Sequence, residues 1–219
     1  MVQKSLRKKR VKTFKLYVEQ SGSSIGLFPG AFKPPHMGHF ETVKKAAAEN
    51  DVVVVLVSAI DRDNISAAES FNVWNVYKPY LPKNVVINVV SGSPVLVIYQ
   101  IIDILNNGVF TATPKVTTPR PEAQEIAQYL QSYNRPYNVN LYASGEDAKG
   151  RYAAFFKNNN EQIYKGKNVS SINAKEVSRL ASATDARAAL ARKDFDAFKT
   201  LLPSITKEDM SKIYRMLAK

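Results

Sequence analysis

The 219-residue chain has no cysteine, only two histidines and one tryptophan, and nineteen acidic side chains against thirty-one basic ones. Without cysteine there is no disulfide, no thiolate nucleophile and no cysteine-type zinc site, and two histidines confined to one short stretch make a poor metal cage. No apolar run approaches the roughly 18 residues that a membrane-spanning helix needs. The N-terminus, MVQKSLRKKRVKTFKLYVEQ, is basic but lacks the apolar h-region of a signal peptide. These absences predict a soluble chain, not secreted by that route, that works in a cytoplasm and meets a metal only as a hard ion brought by a phosphate substrate.

What the chain does contain suits one α/β domain with a small appendage: 45% of its residues are apolar, enough for a single full core. Its net charge is +12, and residues 1–20 hold seven basic side chains against Glu19 alone, so half of the excess sits on one tail. That tail reads as an arm for nucleic acid or another acidic surface, as a solvated terminus, or, through VKTFKLYV, as an added edge strand.

Beyond the arm, Ile25–Phe28 reads as a first buried strand and the chain then enters a Gly- and Pro-rich turn. A helix starts near His36 to His39 and ends near Asn50, with Phe40, Val43 and Ala47 on one face. Asp51–Ala59, DVVVVLVSA, is the continuous β-branched run of a strand covered on both sides. Strand, helix and strand form a βαβ unit, whose ligands sit beyond the carboxyl ends of the strands. The pattern repeats: a helix through Phe71, Trp74, Tyr77 and Tyr80 with Trp74 as core, a strand at Val85–Val90, and a helix to Asn106 for which Ser93 and Pro94 supply cap and first turn. Residues 108–121 break the pattern and read as a loop. A helix at Glu122–Ser132, a fourth strand at Val139–Ala143 and a fifth within Gln162–Val169 follow. Two amphipathic helices, one carrying Phe195, Phe198, Leu201 and Leu202 and the other Met210, Ile213, Tyr214 and Leu217, close the chain.

Two places concentrate chemistry. At the first strand-to-helix junction, Gly30 permits backbone geometry that a Cβ would resist, and Pro34 and Pro35 stiffen the turn. The helix start offers unpaired N–H groups and the positive end of a dipole, so phosphate is the natural guest. His36 and His39 share one face, with Gly38 between them clearing space for a ligand. The second place is Ser182, Thr184 and Arg187, where a capped helix start carries an arginine able to fork onto phosphate oxygens.

These residues carry a resemblance. GAFKPPHMGH resembles the G-x-F-x-P-x-H-x-G-H signature of the nucleotidyltransferase superfamily that shares the HIGH motif, and SATDAR resembles its later I-S-[SG]-T-x-x-R element. SGEDAKGRY is similar to the family's third nucleotide-contacting segment. The likeness spans roughly Ser23 to Pro203, and ISAAES with Trp74, SPVLVIY and GEDAKGRY look most like cytidylyltransferase-like proteins encoded by bacteriophages.

The resemblance implies a doubly wound, mostly parallel Rossmann-like sheet, with a basic arm at 1–22, a nucleotidyltransferase domain at 23–203 and a C-terminal helix at 204–219 packed on it. It implies transfer of a nucleotidyl group from ATP or CTP to a phosphate-bearing acceptor, with pyrophosphate leaving and Mg2+ bridging the phosphates. His36 and His39 would then steady the reacting phosphates, Lys33 would face acceptor or α-phosphate oxygens, and Arg187 with Ser182 and Thr184 would hold the β- and γ-phosphates. Gly30, Phe32 and Gly38 would line the nucleotide, with Gly145, Glu146 and Asp147 near the nucleoside. No residue is assigned as a metal ligand. FKPPHMGH looks closer to nicotinamide-nucleotide adenylyltransferases than to the F-D-x-x-H-x-G-H of cytidylyltransferases. A phage-encoded protein would act in the host cytoplasm, with association to the virion as a second setting, and an oligomer is open.

Departures from the family pattern lie at Glu146 and Asp147, where Gly-Ser-Asp or Gly-Asp-Asp is usual, at Ala181 and Ala183, and in the Thr/Pro-rich 111–121 segment. Asp209–Lys212 is similar to the lysine loop of class I aminoacyl-tRNA synthetases, but Met210, Ile213 and Leu217 place it inside an amphipathic helix. The competing reading is a phage structural or nucleic-acid-binding protein that keeps the fold and uses the arm.

Overall fold

A computed structural model of the chain describes residues 22–112, 117–144, 150, 153, 167–177 and 181–219, and elements are labelled in chain order among these residues. Five strands, β1 Ser24–Gly30, β2 Val52–Ser58, β3 Val85–Val90, β4 Tyr137–Ser144 and β5 Val169–Val177, form one sheet in the order β3-β2-β1-β4-β5 with every pairing parallel. The helices are α1 Met37–Glu49, α2 Ala67–Tyr77 with a 3-10 turn at Lys78–Tyr80, α3 Pro94–Asn107, α4 Pro121–Leu130, α5 Ala183–Ala191, α6 Phe195–Lys199 and α7 Lys207–Leu217. This is a doubly wound, Rossmann-like α/β fold.

The β-branched run of β2 explains the two layers. Val53, Val55 and Val57 point into a core shared with Phe40, Val43, Trp74, Tyr77, Phe198 and Ile213, on the side of α1, α2, α6 and α7. Val52, Val54 and Leu56 point into the opposite core with Ile98, Ile101, Leu105, Ile126 and Leu130 of α3 and α4. A strand with no solvent face needs no polar alternation, which is why the run is continuous. Trp74 is fully buried, as its spacing predicted. The chain lays down β1, β2 and β3 in one direction and then returns to β4 on the other side of β1. The crevice where the order reverses therefore opens at the carboxyl ends of β1 and β4, which is where such sheets hold ligands.

Three expectations need correction. The fifth strand is Val169–Val177 and not within Gln162–Val169, of which 162–166 lie outside the described residues. It is an edge strand with Asn173 to Glu176 exposed, so it has little of the apolar patterning that marks the inner strands. Ser93 stands at the N-cap position of α3 but its side chain makes no cap bond. Gly30 is not needed for a left-handed φ; a Cβ there would lie 2.7 Å from the ring of Phe32. The basic arm at 1–20 lies outside the described residues, and among those described no helix is long and apolar enough to cross a membrane.

Candidate functional site

The turn after β1 is built into the core. Phe32 adopts φ 51°, a left-handed conformation that costs a bulky side chain roughly 1–2 kcal/mol. Its surroundings hold it there: the buried ring packs against Phe28 at 5.0 Å, His39 at 4.9 Å and Trp74 at 5.4 Å between centroids. Ser70 of α2 donates from Oγ to its carbonyl, and Tyr77 Oη donates to Pro35 O at 3.2 Å. Phe32 thus supports His39 from beneath. Ser70 and Tyr77 were legible only as part of a helix, because a hydrogen bond to a turn 38 or 42 residues away leaves no local trace.

His36 and His39 form a capping box made of two imidazoles. His36 is the N-cap of α1; its Nδ1 accepts from Gly38 N at 3.1 Å, and His39 Nδ1 accepts from His36 N at 3.3 Å. N-cap to N3 is the spacing of a capping box, and the histidines stand three positions apart accordingly. The rings stack at 3.6 Å. Because both Nδ1 atoms accept, the neutral rings carry their protons on Nε2, as donors. Burial, and then the neighbouring His36, hold the His39 imidazole well below its ordinary 6.5, so it stays uncharged.

The same bonds overturn one expectation. The first N–H groups of α1 are not left for a phosphate: Met37 N donates to Leu201 O at 2.8 Å, while the His36 and Gly38 amides are taken by the imidazoles. Any anion here meets side chains rather than a bare helix end. Gly38 is also closely surrounded by the protein. A Cβ on it would sit 3.2 Å from His36 Cε1 and 3.3 Å from Ala181 N, so it is the protein's own α5 segment that presses close.

Ser182 caps α5, its Oγ accepting from Thr184 N at 3.2 Å. Arg187 Nη1 donates to Lys33 O at 2.8 Å, Nη2 to Thr184 Oγ1 at 3.3 Å, and Nε pairs with Asp63 Oδ2 at 2.9 Å. The two motifs, 150 residues apart in sequence, therefore meet at the carboxyl edge of the sheet. Lys33 is 1% exposed and donates from Nζ to Ser58 O, the last residue of β2, at 3.0 Å. Burial draws its ammonium below 10.5, against the opposing pull of Asp61 and Glu69. Gly145, Glu146 and Asp147 follow the end of β4 but lie outside the described residues. Asp63 was passed over in the sequence as part of a polar loop, although Asp-Asn between Arg62 and Ile65 is a hairpin-turn pattern.

With neutral imidazole donors, a stitched guanidinium and a buried ammonium on one edge, the arrangement can orient an anionic, phosphate-bearing ligand without a covalent nucleophile. No family model and no curated protein matches the chain. Solved structures do. The bifunctional NMN adenylyltransferase/ADP ribose pyrophosphatase of Francisella tularensis, complexed with AMP and a manganese ion, matches at 12% identity and a TM-score of 0.51 over 90% of this chain and 52% of that one. This chain thus spans about half the length of that protein. The Plasmodium falciparum nicotinic acid mononucleotide adenylyltransferase complexed with NaAD matches at 12% identity and a TM-score of 0.48, over 90% of this chain and 98% of its own. The likeness to the Francisella structure establishes a shared fold.

Proposed function

We propose that the chain is a nucleotidyltransferase that moves a nucleoside monophosphate from ATP or CTP to a small phosphate-bearing acceptor. The observation that carries this is the meeting of the histidine turn with the Ser182–Arg187 segment, seen in the Arg187 to Lys33 O bond and in the approach of Ala181 to Gly38. In the reaction an acceptor phosphate oxygen forms a bond to the α-phosphorus, and the bond from that phosphorus to the bridging oxygen breaks. Pyrophosphate leaves with the electron pair.

Such chemistry needs alignment and charge neutralisation. In this reading the Nε2–H groups of His36 and His39 donate to phosphate oxygens around the reacting phosphorus, since both Nδ1 atoms are occupied as acceptors. Arg187 and Thr184 hold the outer phosphates at the Ser182-capped helix start. Lys33 supplies a buried positive charge on the acceptor side, at the end of β2. Gly30, Phe32 and Gly38 at the nucleotide, and Gly145, Glu146 and Asp147 at the nucleoside, are assigned on the family resemblance alone. Among the described residues no group of three or more His, Asp or Glu side chains could hold a metal ion. Mg2+ accompanying the triphosphate, as the family resemblance implies, would supply neutralisation of phosphate charge.

Nicotinamide mononucleotide is the acceptor we place first, with ATP as donor, on the likeness of FKPPHMGH to nicotinamide-nucleotide adenylyltransferases; the Francisella fold neighbour has that activity in its name. The phage origin, and a nucleic-acid role for residues 1–20, rest on sequence likeness and on charge. The test is a pyrophosphate-release screen crossing ATP and CTP with nicotinamide mononucleotide, phosphopantetheine and phosphorylated alcohols, run beside His39→Ala. Turnover with ATP and nicotinamide mononucleotide, lost in the variant, is expected. Absence of turnover with every pair, together with absence of triphosphate binding, would overturn the enzyme reading.

A further inference from the structure

Between β2 and α2 the chain makes a two-residue hairpin. Arg62 and Ile65 exchange both backbone hydrogen bonds, at 3.1 and 3.0 Å, and Asp63 and Asn64 between them have φ of 50° and 63°. That is the pattern of a type I′ turn, and Asp and Asn are the side-chain-bearing residues that enter this region most easily. The hairpin is tied down on each side. Ile65 is buried, Ala67 N donates to Asp61 Oδ1 at 3.0 Å, and Ser66 and Glu69 close a capping box on α2. Lys219 Nζ donates to Asn64 O at 2.8 Å and pairs with Glu69 at 3.0 Å. A post anchored this way presents its tip in one place.

At that tip the Asp63 carboxylate meets Arg187. Oδ2 lies 2.9 Å from Arg187 Nε and 3.5 Å from Arg62 Nε, so two guanidinium groups share one carboxylate oxygen. Arg187 has five N–H donors. Lys33 O takes one on Nη1 and Thr184 Oγ1 one on Nη2, while Asp63 Oδ2 forms an ion pair with Nε, so among the described residues one N–H on each terminal nitrogen has no acceptor. Two hydrogen bonds and an ion pair, to Lys33 O, Thr184 Oγ1 and Asp63, restrict a side chain that would otherwise sample many rotamers.

We infer that Asp63 is a positioning residue: it holds the Arg187 guanidinium so that the remaining terminal N–H groups face the phosphates of the bound triphosphate. The inference rests on the nucleotidyltransferase reading above. Coulomb's law alone predicts the opposite behaviour, since removing a carboxylate beside an anion site makes the site more positive and tightens anion binding. The sign of the effect therefore separates orientation from simple charge.

Asp63→Asn and Asp63→Gly suit the test because both residues favour this turn and leave the hairpin intact. The full chain and the two variants are titrated calorimetrically with MgATP and with inorganic tripolyphosphate, alongside thermal unfolding and the triphosphate KM. The dissociation constants are expected to rise about threefold in Asp63→Asn, whose amide oxygen still accepts weakly, and about tenfold in Asp63→Gly. KM should rise in the same order, with unchanged thermal midpoints. Unchanged or tighter binding in Asp63→Gly overturns the inference and makes Asp63 a competitor for the anion. Native protein that binds neither probe overturns the nucleotidyltransferase reading and this inference with it, whereas native binding undiminished in the variants overturns the inference alone.

Discussion

The two segments that meet at the site are built in opposite ways. The Phe32–His39 turn is sunk in the core: Phe32, Lys33 and His36 are buried, and its carbonyls are bonded by Ser70 and Tyr77. The start of α5 lies at the surface, with Thr184 exposed and Arg187 reaching inward to the turn. In the first segment the groups assigned to chemistry also hold the fold together, since the same imidazoles that would face phosphate cap α1, and His39 meets Phe32 edge-on. In the second, Ser182 caps α5 and Arg187 ties it to the turn, while Thr184 is exposed. Substitutions in the two places should therefore separate stability from catalysis.

The largest effect is expected from His39→Ala, which removes a phosphate donor, a cap and an aromatic contact together. Turnover should fall by about 10² to 10³, and the thermal midpoint by roughly 4 °C or more. A variant that lost turnover with an unmoved midpoint would break the comparison. Thr184→Ala should lower turnover about tenfold, through one lost polar contact and a looser Arg187, while its midpoint shifts by less than about 1 °C, as exposed substitutions usually do. Equal losses of both in this variant would show that the α5 start is as load-bearing as the turn. Comparison of pyrophosphate release with thermal melts measures both.

Lys33→Met sharpens the contrast from inside the turn. Burial draws the folded ammonium below its ordinary 10.5, so folding works against its protonation at neutral pH. Its replacement by a buried apolar chain of similar length is expected to leave stability unchanged or raise it by about 1 kcal/mol, while turnover falls. Chemical denaturation reads the first quantity. A large destabilisation would show that the bond from Lys33 to Ser58 O outweighs the desolvation.

The smallest effect is a pH dependence. The folded His39 imidazole titrates well below 6.5, while in the unfolded chain it takes a proton near that value. Below 6.5 the unfolded state then binds the extra proton, so the contribution of His39 to stability is complete above 6.5 and declines as pH falls toward the folded value. Denaturation midpoints at pH about 7.5 and 5.5 should differ in the native protein and differ less in His39→Gln. An equal slope in both would assign the dependence to other groups.

Much of the architecture was legible locally. The run from Val52 to Val57 announced a strand covered on both faces, and the separation of His36 from His39 is that of an N-cap and its N3 partner. β5 was misplaced because an exposed edge strand has no strong pattern to read. Gly30 was recognised as required but for a backbone reason, when the true obstacle is a ring two residues on. Free helix N–H groups were expected at α1, and Leu201, far along the chain, had already claimed one.

By itself the sequence determined the two-layered sheet and the pair of motifs, because hydrophobic periodicity and capping act between residues a few positions apart. It could not determine that Arg187 would lie on Lys33 O with Asp63 on its other side. Those contacts join residues 154 and 124 positions apart, and only the crossover connections and the strand order bring them to one edge. The tertiary structure also closed the helix end at the histidine turn, where Leu201 O and the two imidazoles take backbone N–H groups.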